Sequence, residues 1–121
     1  MAAGGWPGAD GWAAQACRIA PTIVGGSKKH GGPDLGPTRS RQAWAALGVD
    51  GLGVADHAPG PDFPPGQPPK LTVTMVARLQ GFPDSWRFSG RKTAAYRQVG
   101  NAFPPPVARA LGAAIRQALD R

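Results

Sequence analysis

The chain has 121 residues, the size of one small domain, and its 18 Gly and 14 Pro raise the possibility of low complexity or disorder. Four Trp, four Phe and one Tyr argue against complete disorder, so the composition predicts a loop-rich fold. A single cysteine excludes an internal disulfide and argues against a cysteine-based metal site. No apolar run approaches the roughly 20 residues that span a bilayer, which predicts no membrane association.

The formal net charge is +7, from 14 basic and 7 acidic residues. Segments 21–48 and 70–121 are net basic, whereas 49–69 is net acidic. Ten of the basic residues are Arg, whose guanidinium fork matches phosphate oxygens, but a basic surface alone does not require a nucleic acid. Every acidic residue is Asp, so a mechanism that needs a glutamate must obtain it from another chain.

Residues 1–20 lack both a basic start and a continuous apolar stretch, so they do not resemble a signal peptide and a cytoplasmic protein is expected. A short helix is predicted around Trp12–Arg18. The sequence "PTIVGG" at 21–26 predicts a short strand that ends at a glycine pair.

The next part of the chain is interrupted by glycine and proline. "SKKHGGPDLGPT" at 27–38 is predicted to be a loop, and Thr38 is the expected N-cap of a helix that stops at Gly48. Residues 49–56 have turn-like composition. Residues 57–70 are rich in Pro and Gly, which predicts an extended linker or a wrapped segment.

Two short helices are predicted in the last fifty residues. Thr72 can cap a helix over about 73–80, which Gly81 would end. A second helix is predicted over Lys92–Val99, and Gly100 is expected to stop it.

A longer helix is predicted at the C-terminal end, over about Pro105–Asp120. Prolines suit the first turn of a helix, so Gly100 and Asn101 are expected in a tight loop at its entrance. Apolar residues at i, i+3 and i+4 spacing form one stripe, which predicts that the helix packs on a partner surface. The stripe consists of Val107, Ala110, Leu111, Ala114, Ile115 and Ala118.

Residues 71–116 carry two unusual motifs in a fixed order, "LTVTMVARLQGFPDSW" and "YRQVGNAFPPPVA". This part of the chain resembles the C-terminal end of bacterial DNA (cytosine-5)-methyltransferases. Upstream, "APTIVGGSKKHGGPDLGPTRSRQAW" resembles the end of the family's target-recognition region, which often carries a Thr-Ile or Thr-Leu pair like Thr22-Ile23. One departure is local: Thr74-Met75 stand where Arg-Glu is usual, which puts a salt bridge in doubt.

The resemblance implies roles for particular residues. Asn101, Ala102 and Phe103 correspond to the family's last block, which lines the S-adenosyl-L-methionine pocket, and Phe82 corresponds to an aromatic residue that borders the cofactor. The final helix would pack on the catalytic domain. Arg78 is expected to organise the fold rather than to touch the substrate.

DNA contacts are expected from basic residues in and beside the glycine-rich loop, because such loops let backbone and side chains approach phosphates closely. The candidates are Lys28, Lys29, Arg39 and Arg41, with Thr22 as a further phosphate contact. Double-stranded DNA is the expected partner. A solvated basic loop is the alternative.

The family's catalytic groups do not occur in this sequence. Methylation of cytosine C5 needs a thiolate, a carboxylic acid and a bound methyl donor. The family supplies them from a Pro-Cys-Gln loop, a Glu-Asn-Val block and a Gly-rich βαβ start, whereas Cys17 lies in "QACRIAP" and the chain has no Glu. No catalytic residue is therefore assigned, and the chain is expected to be inactive alone and to share its cofactor with a separate catalytic domain.

The expected fold is an α+β, loop-rich fragment of an α/β methyltransferase fold that ends in a long amphipathic helix. Residues 1–56 would be partial target-recognition region, 57–70 a linker, and 71–121 a helical segment packed on the catalytic domain. The chain would be one subunit of a split enzyme or an inactive gene remnant. A stand-alone basic DNA-binding module is the contrasting hypothesis.

Overall fold

A computed structural model describes residues 4–25 and 32–121, in which α-helices are the regular elements. In chain order they are α1 (Ala9–Gln15), α2 (Thr38–Ala45), α3 (Val73–Gln80), α4 (Lys92–Asn101) and α5 (Pro105–Leu119). Over these described ranges there is no strand, and an isolated parallel bridge joins Ala55 to Thr72. The described part is thus helix-rich, and the expected α+β class is not confirmed.

The strand predicted at 21–26 is wrong for the residues that are described there. Residues 21–25 have no regular secondary structure, and Gly26 lies outside the described ranges. Ile23 is nevertheless buried, because the segment packs on the core instead of pairing with a strand.

One hydrophobic core joins the two halves of the chain. It contains Ile23, Leu35, Trp44, Leu47, Val49 and Val54 from the first half and Leu71, Val76, Ala77, Tyr96 and Val99 from the second. The Ala55 N–H donates to the Leu71 carbonyl at 2.9 Å. This hydrogen bond lies next to the Ala55–Thr72 bridge and joins the two halves of the chain. Residues 57–70, which were predicted to be a linker, therefore do not separate two hydrophobic cores.

The predicted start and end of α3 are confirmed. The Thr72 hydroxyl accepts from the Met75 N–H at 3.3 Å, and the Thr72 N–H donates to the Met75 sulfur at 3.5 Å. Met75 thus fills the capping-box position that a glutamate usually occupies, with sulfur as a weak acceptor. Gly81 ends the helix in the left-handed region, at φ +86°.

The predicted N-cap of α2 is wrong by one residue. Pro37 is the N-cap and Thr38 is the first helical residue. The Thr38 hydroxyl accepts from the Arg41 guanidinium at 3.1 Å, so it serves a side chain rather than the helix end.

Gly100 and Asn101 do not form a loop, which corrects a central expectation. α4 includes both residues and ends at Asn101, and the C-cap Ala102 adopts an extended conformation before the prolines. Gly100 is tolerated inside the helix because it lies against another segment of backbone. A Cβ at Gly100 would lie 2.6 Å from the Gly25 Cα.

The N-terminal and proline-rich segments pack on each other. The rings of Trp6 and Phe63 meet edge-to-face with centroids 5.5 Å apart, and the Trp12 indole donates to the Gly48 carbonyl at 2.8 Å. Residues 57–70 thus correspond to the wrapped alternative.

The first helix spans Ala9–Gln15 rather than Trp12–Arg18, and the Arg18 guanidinium donates to a carbonyl after α2.

The predicted C-terminal helix is confirmed as α5, and its apolar stripe is exposed. The large members, together with Leu119, are between 46% and 80% exposed: Val107, Leu111, Ile115 and Leu119. None of the helices in the described ranges is long and apolar enough to cross a membrane.

Candidate cofactor and DNA-binding site

The two motifs of the second half are joined by one side chain. α3 and α4 pack together, and the Gln80 amide at the end of α3 donates to the carbonyls of Val99 and Ala102 at 3.1 and 3.4 Å. Both carbonyls lie at the end of α4, where Ala102 is the C-cap and its N–H also donates to the Val99 carbonyl at 3.3 Å. Gln80 therefore fixes the position of Phe82, two residues later, relative to Ala102.

Phe82 lies in a small aromatic cluster directly after α3. Its N–H donates to the Ala77 carbonyl at 3.0 Å, which holds the turn against the helix. Its ring packs edge-to-face on the Phe88 ring, with the ring centroids 5.1 Å apart, and its centroid lies 5.7 Å from that of Trp86. Phe82 is half-buried and Trp86 is exposed, so the cluster offers an aromatic surface to a ligand or a second segment.

The other predicted cofactor residues lie where α4 ends. The Asn101 side chain is exposed and lies next to Gly25, where a Cβ would overlap it. Ala102 is half-buried, and the Phe103 ring is 57% exposed. An amide and an open aromatic ring thus lie beside one another at a helix end and could form one wall of a cofactor pocket.

A cleft of about 480 Å³ separates the start of α5 from the turn after α3. Phe82, Pro106, Arg78 and Arg109 line it, among others. Arg78 makes a two-pronged ion pair with Asp84, with N–O distances of 2.6 and 2.9 Å.

This ion pair joins two exposed side chains and shifts the pKa of both. Hydrogen bonding to Arg78 lowers the pKa of the Asp84 carboxyl, and the same contact raises the pKa of Arg78. The pair braces the Phe-Pro-Asp turn, in keeping with the fold-organising role expected for Arg78.

Tyr96 of α4 reaches the segment that carries the predicted DNA-binding loop. Its hydroxyl lies 2.8 Å from the Val24 carbonyl and 2.8 Å from the Asp34 carbonyl. Burial raises the pKa of Tyr96 to about 12, and the negative charge of Asp34 adds to the effect. The phenol is therefore a proton donor throughout the neutral pH range.

The predicted DNA-binding residues divide into three groups. Thr22 is exposed just before Ile23, whereas Lys28 and Lys29 lie outside the described residues. Arg39 is exposed on α2, and Arg41, two residues later on the same helix, is half-buried. The structure thus places Arg39 and Thr22 at the surface and does not bear on the two lysines.

Arg41 lines a second cleft, of about 410 Å³, together with Pro33, Asp34 and Lys92. Lys92 is ion-paired with Asp56 at 3.1 Å, so its charge is already partly balanced. The cleft brings a predicted DNA-binding residue next to the downstream end of the glycine-rich loop.

Sequence reasoning did not identify Gln80, Tyr96 and Gly100 as connectors. The partners of Tyr96 lie 72 and 62 residues upstream, a separation that no local periodicity reports. The available signal was that Tyr96 is the one tyrosine in the chain and that it lies within a recognised motif.

Comparison with known proteins places these motifs in a class of DNA-modifying enzymes. Residues 16–117 match the family model of C-5 cytosine-specific DNA methylases. The type II methyltransferase M.NaeI of Lentzea aerocolonigenes is 66% identical over 121 residues, covering 99% of this chain and 29% of the relative. M.NgoMIV of Neisseria gonorrhoeae is 43% identical over 124 residues, covering 100% of this chain and 38% of the relative.

Plant enzymes match a shorter part: DNA (cytosine-5)-methyltransferase 1A of Oryza sativa subsp. japonica is 53% identical over 58 residues, 48% of this chain and 4% of the relative. No solved structure matches the chain significantly. The chain belongs to the C-5 cytosine-specific DNA methylase family. It spans 29% and 38% of the lengths of these two bacterial relatives.

Proposed function

We propose that this chain is the C-terminal part of a DNA (cytosine-5)-methyltransferase, in which it recognises the DNA target and completes the S-adenosyl-L-methionine pocket. The observation that carries the proposal is that α4, which ends at the predicted cofactor residue Asn101, packs against the recognition-like segment upstream. Asn101, at its end, lies next to Gly25 of the recognition-like segment. The predicted cofactor residue Asn101 and the recognition-like segment are therefore neighbours in the fold.

The residues at the helix ends suit one wall of a cofactor pocket. Phe82 and Phe103 offer aromatic faces to a purine ring, and the Asn101 amide offers both a donor and an acceptor. The wall is open on its other side, which a catalytic segment would close. When bound, the cofactor supplies the methyl group.

The exposed stripe of α5 supports packing against that catalytic segment. Leu111, Ile115 and Leu119 are more than half exposed, and apolar side chains repeating on one helical face usually cover an interface or core. The prolines at the start of the helix set its direction relative to Phe82, since Pro106 lies against Gly81.

DNA recognition would use the basic surface that precedes α4. Arg39 and Thr22 are exposed, and Lys28 and Lys29, predicted as further contacts, lie outside the described residues. Guanidinium and ammonium groups on such a surface would position DNA through its phosphates. The cytoplasm remains the predicted location.

Reconstitution with a catalytic segment tests the proposal. The segment of M.NaeI that this chain does not span would be co-expressed with the 121-residue chain, and methyl transfer to duplex DNA would be measured and mapped by bisulfite sequencing. We expect 5-methylcytosine only when both parts are present. The control replaces the cysteine of the catalytic segment's Pro-Cys-Gln loop with serine.

Two outcomes would contradict the proposal. If the chain and the catalytic segment formed a well-folded complex that neither bound nor methylated DNA, the roles proposed for this chain in DNA recognition and in the cofactor pocket would be wrong. Methylation by the 121-residue chain alone would show that the assignment of the catalytic groups to another segment is wrong.

The net charge of +7 favours a second candidate, a stand-alone DNA-binding module without catalysis. Such a module would unfold cooperatively by itself and bind DNA with a steep salt dependence. A methyltransferase segment would instead gain thermal stability when the catalytic segment covers α5.

A further inference from the structure

The Tyr96 hydroxyl contacts the backbone at two positions, Val24 and Asp34, that are distant from it in the sequence. The side chain is fully buried, and the hydroxyl lies 2.8 Å from the carbonyls of Val24 and Asp34. A phenol has one proton, so the two carbonyls share a single donor. These carbonyls mark the two ends of the segment 25–33.

A second contact lies one helical turn further along the same face of α4. Gly100 is four residues after Tyr96, so both face the same side of the helix. A Cβ on Gly100 would lie 2.6 Å from the Gly25 Cα and 2.7 Å from the Val24 carbonyl carbon. The upstream end of the segment is thus in contact with α4 at two successive turns.

The downstream end is connected to α2. The Leu35 N–H donates to the Gly51 carbonyl at 3.0 Å, and the Gly36 N–H donates to the Asp34 carboxylate at 3.0 Å. Gly36, at φ +109°, fits between the Val24 side chain and Ser40 of α2, each about 3.1–3.2 Å from a Cβ placed there. Displacement of Asp34 would therefore be transmitted to the helix that carries Arg39 and Arg41.

We propose that Tyr96 is a positioning residue for DNA target recognition. Its hydroxyl fixes both ends of the segment 25–33 on α4, and so sets the position of Thr22 and of the α2 arginines relative to Asn101. This inference rests on the proposed function. It adds that Tyr96 connects the predicted DNA-binding residues to the predicted cofactor-binding residues. A buried tyrosine that only stabilises the fold is the competing explanation.

The Tyr96→Phe variant of the 121-residue chain tests this role, because it removes the hydroxyl and keeps the ring. Trp12→Phe is the matched control: it removes a side-chain hydrogen bond of the same length, to the Gly48 carbonyl, which belongs to neither end of the segment 25–33. The probe is a pool of randomised DNA duplexes, and sequencing of the bound fraction gives the enrichment of a preferred motif. Amide hydrogen exchange at Leu35 and Gly36 is measured in parallel.

We expect Tyr96→Phe to lower the enrichment of the motif by about tenfold, the effect of losing one buried hydrogen bond, while total binding to non-preferred duplexes stays unchanged. Exchange at Leu35 and Gly36 should accelerate, and exchange at Val76 in α3 should not. Trp12→Phe should leave the enrichment as in the wild type.

Equal enrichment by wild type and Tyr96→Phe would overturn the role of Tyr96, as would an equal loss in Trp12→Phe. A wild-type chain that enriches no motif would instead contradict DNA recognition by this chain, the proposed function itself. The two failures are therefore distinguishable.

Discussion

Gly100 of α4 lies directly against the backbone of Gly25, so close that Gly100 has no room for a side chain. This contact explains why a glycine occurs inside a helix, where it costs conformational entropy. It also joins the motif predicted to border the cofactor to the segment predicted to contact DNA.

Replacement of Gly100 by alanine should therefore destabilise the chain. A Cβ 2.6–2.7 Å from backbone atoms of Gly25 and Val24 must displace one segment, which typically costs about 1–3 kcal/mol. Gly112→Ala is the control, since a Cβ there meets no atom within 4 Å and the better helix propensity should stabilise by about 0.5–1 kcal/mol. Chemical denaturation measures both, and equal effects would refute the importance of the Gly25 contact.

Alkaline pH should weaken the fold through Tyr96. The unfolded phenol ionises near pH 10, whereas the folded one keeps its proton until about pH 12. Its contribution is thus complete below about pH 10 and is lost as pH rises to about 12, at about 1.4 kcal/mol per pH unit.

The single tyrosine makes this effect measurable by tyrosinate absorbance in the native chain. Denaturation at several pH values should show a steeper loss of stability in the wild type than in Tyr96→Phe. A native titration midpoint near pH 10 would contradict burial of the hydroxyl.

Arg39→Ala should weaken DNA binding without changing sequence preference. Arg39 is exposed on α2, so its expected role is a phosphate contact rather than base reading. Loss of one such contact should reduce the slope of log K against log salt by about one. Arg121→Ala removes the same charge at the far end of α5, and an identical slope change in that control would indicate a general charge effect.

Polar substitution on the α5 stripe should affect assembly and leave the isolated chain intact. Leu111→Ser and Ile115→Ser remove side chains that are more than half exposed, so thermal stability of the chain should hardly change. Each buried aliphatic side chain is worth about 1.5–3 kcal/mol at an interface, so affinity for the catalytic segment should fall by about tenfold or more. Gln117→Ser, off the stripe, is the control, and calorimetric titration gives the affinities.

The local parts of the fold were predictable from the sequence. Thr72 and Gly81 bound α3 through contacts within a few residues, and Pro105 begins α5 because proline suits a first helical turn. The apolar stripe of α5 follows from spacing alone. These features depend on chemistry that neighbouring residues provide.

Two of the wrong predictions, the loop at Gly100 and the strand at 21–26, involve contacts between distant segments. Gly100 was predicted to stop the helix, yet α4 includes it, and the missing side chain leaves room for the backbone of Gly25. Residues 21–25 have β-branched composition but pack on the core without a strand partner. Local propensity is weak compared with burial, so tertiary packing overrides it.

The sequence by itself determined the family, the positions of α3 and α5, and the residue types available at each motif. Only the tertiary structure decided that Gln80 joins the ends of two helices and that Tyr96 shares one proton between Val24 and Asp34. The reason is physical: helix caps and amphipathic stripes depend on spacings of a few residues. A buried hydroxyl finds its acceptors only after the chain has folded and brought residues more than sixty positions apart within hydrogen-bond distance.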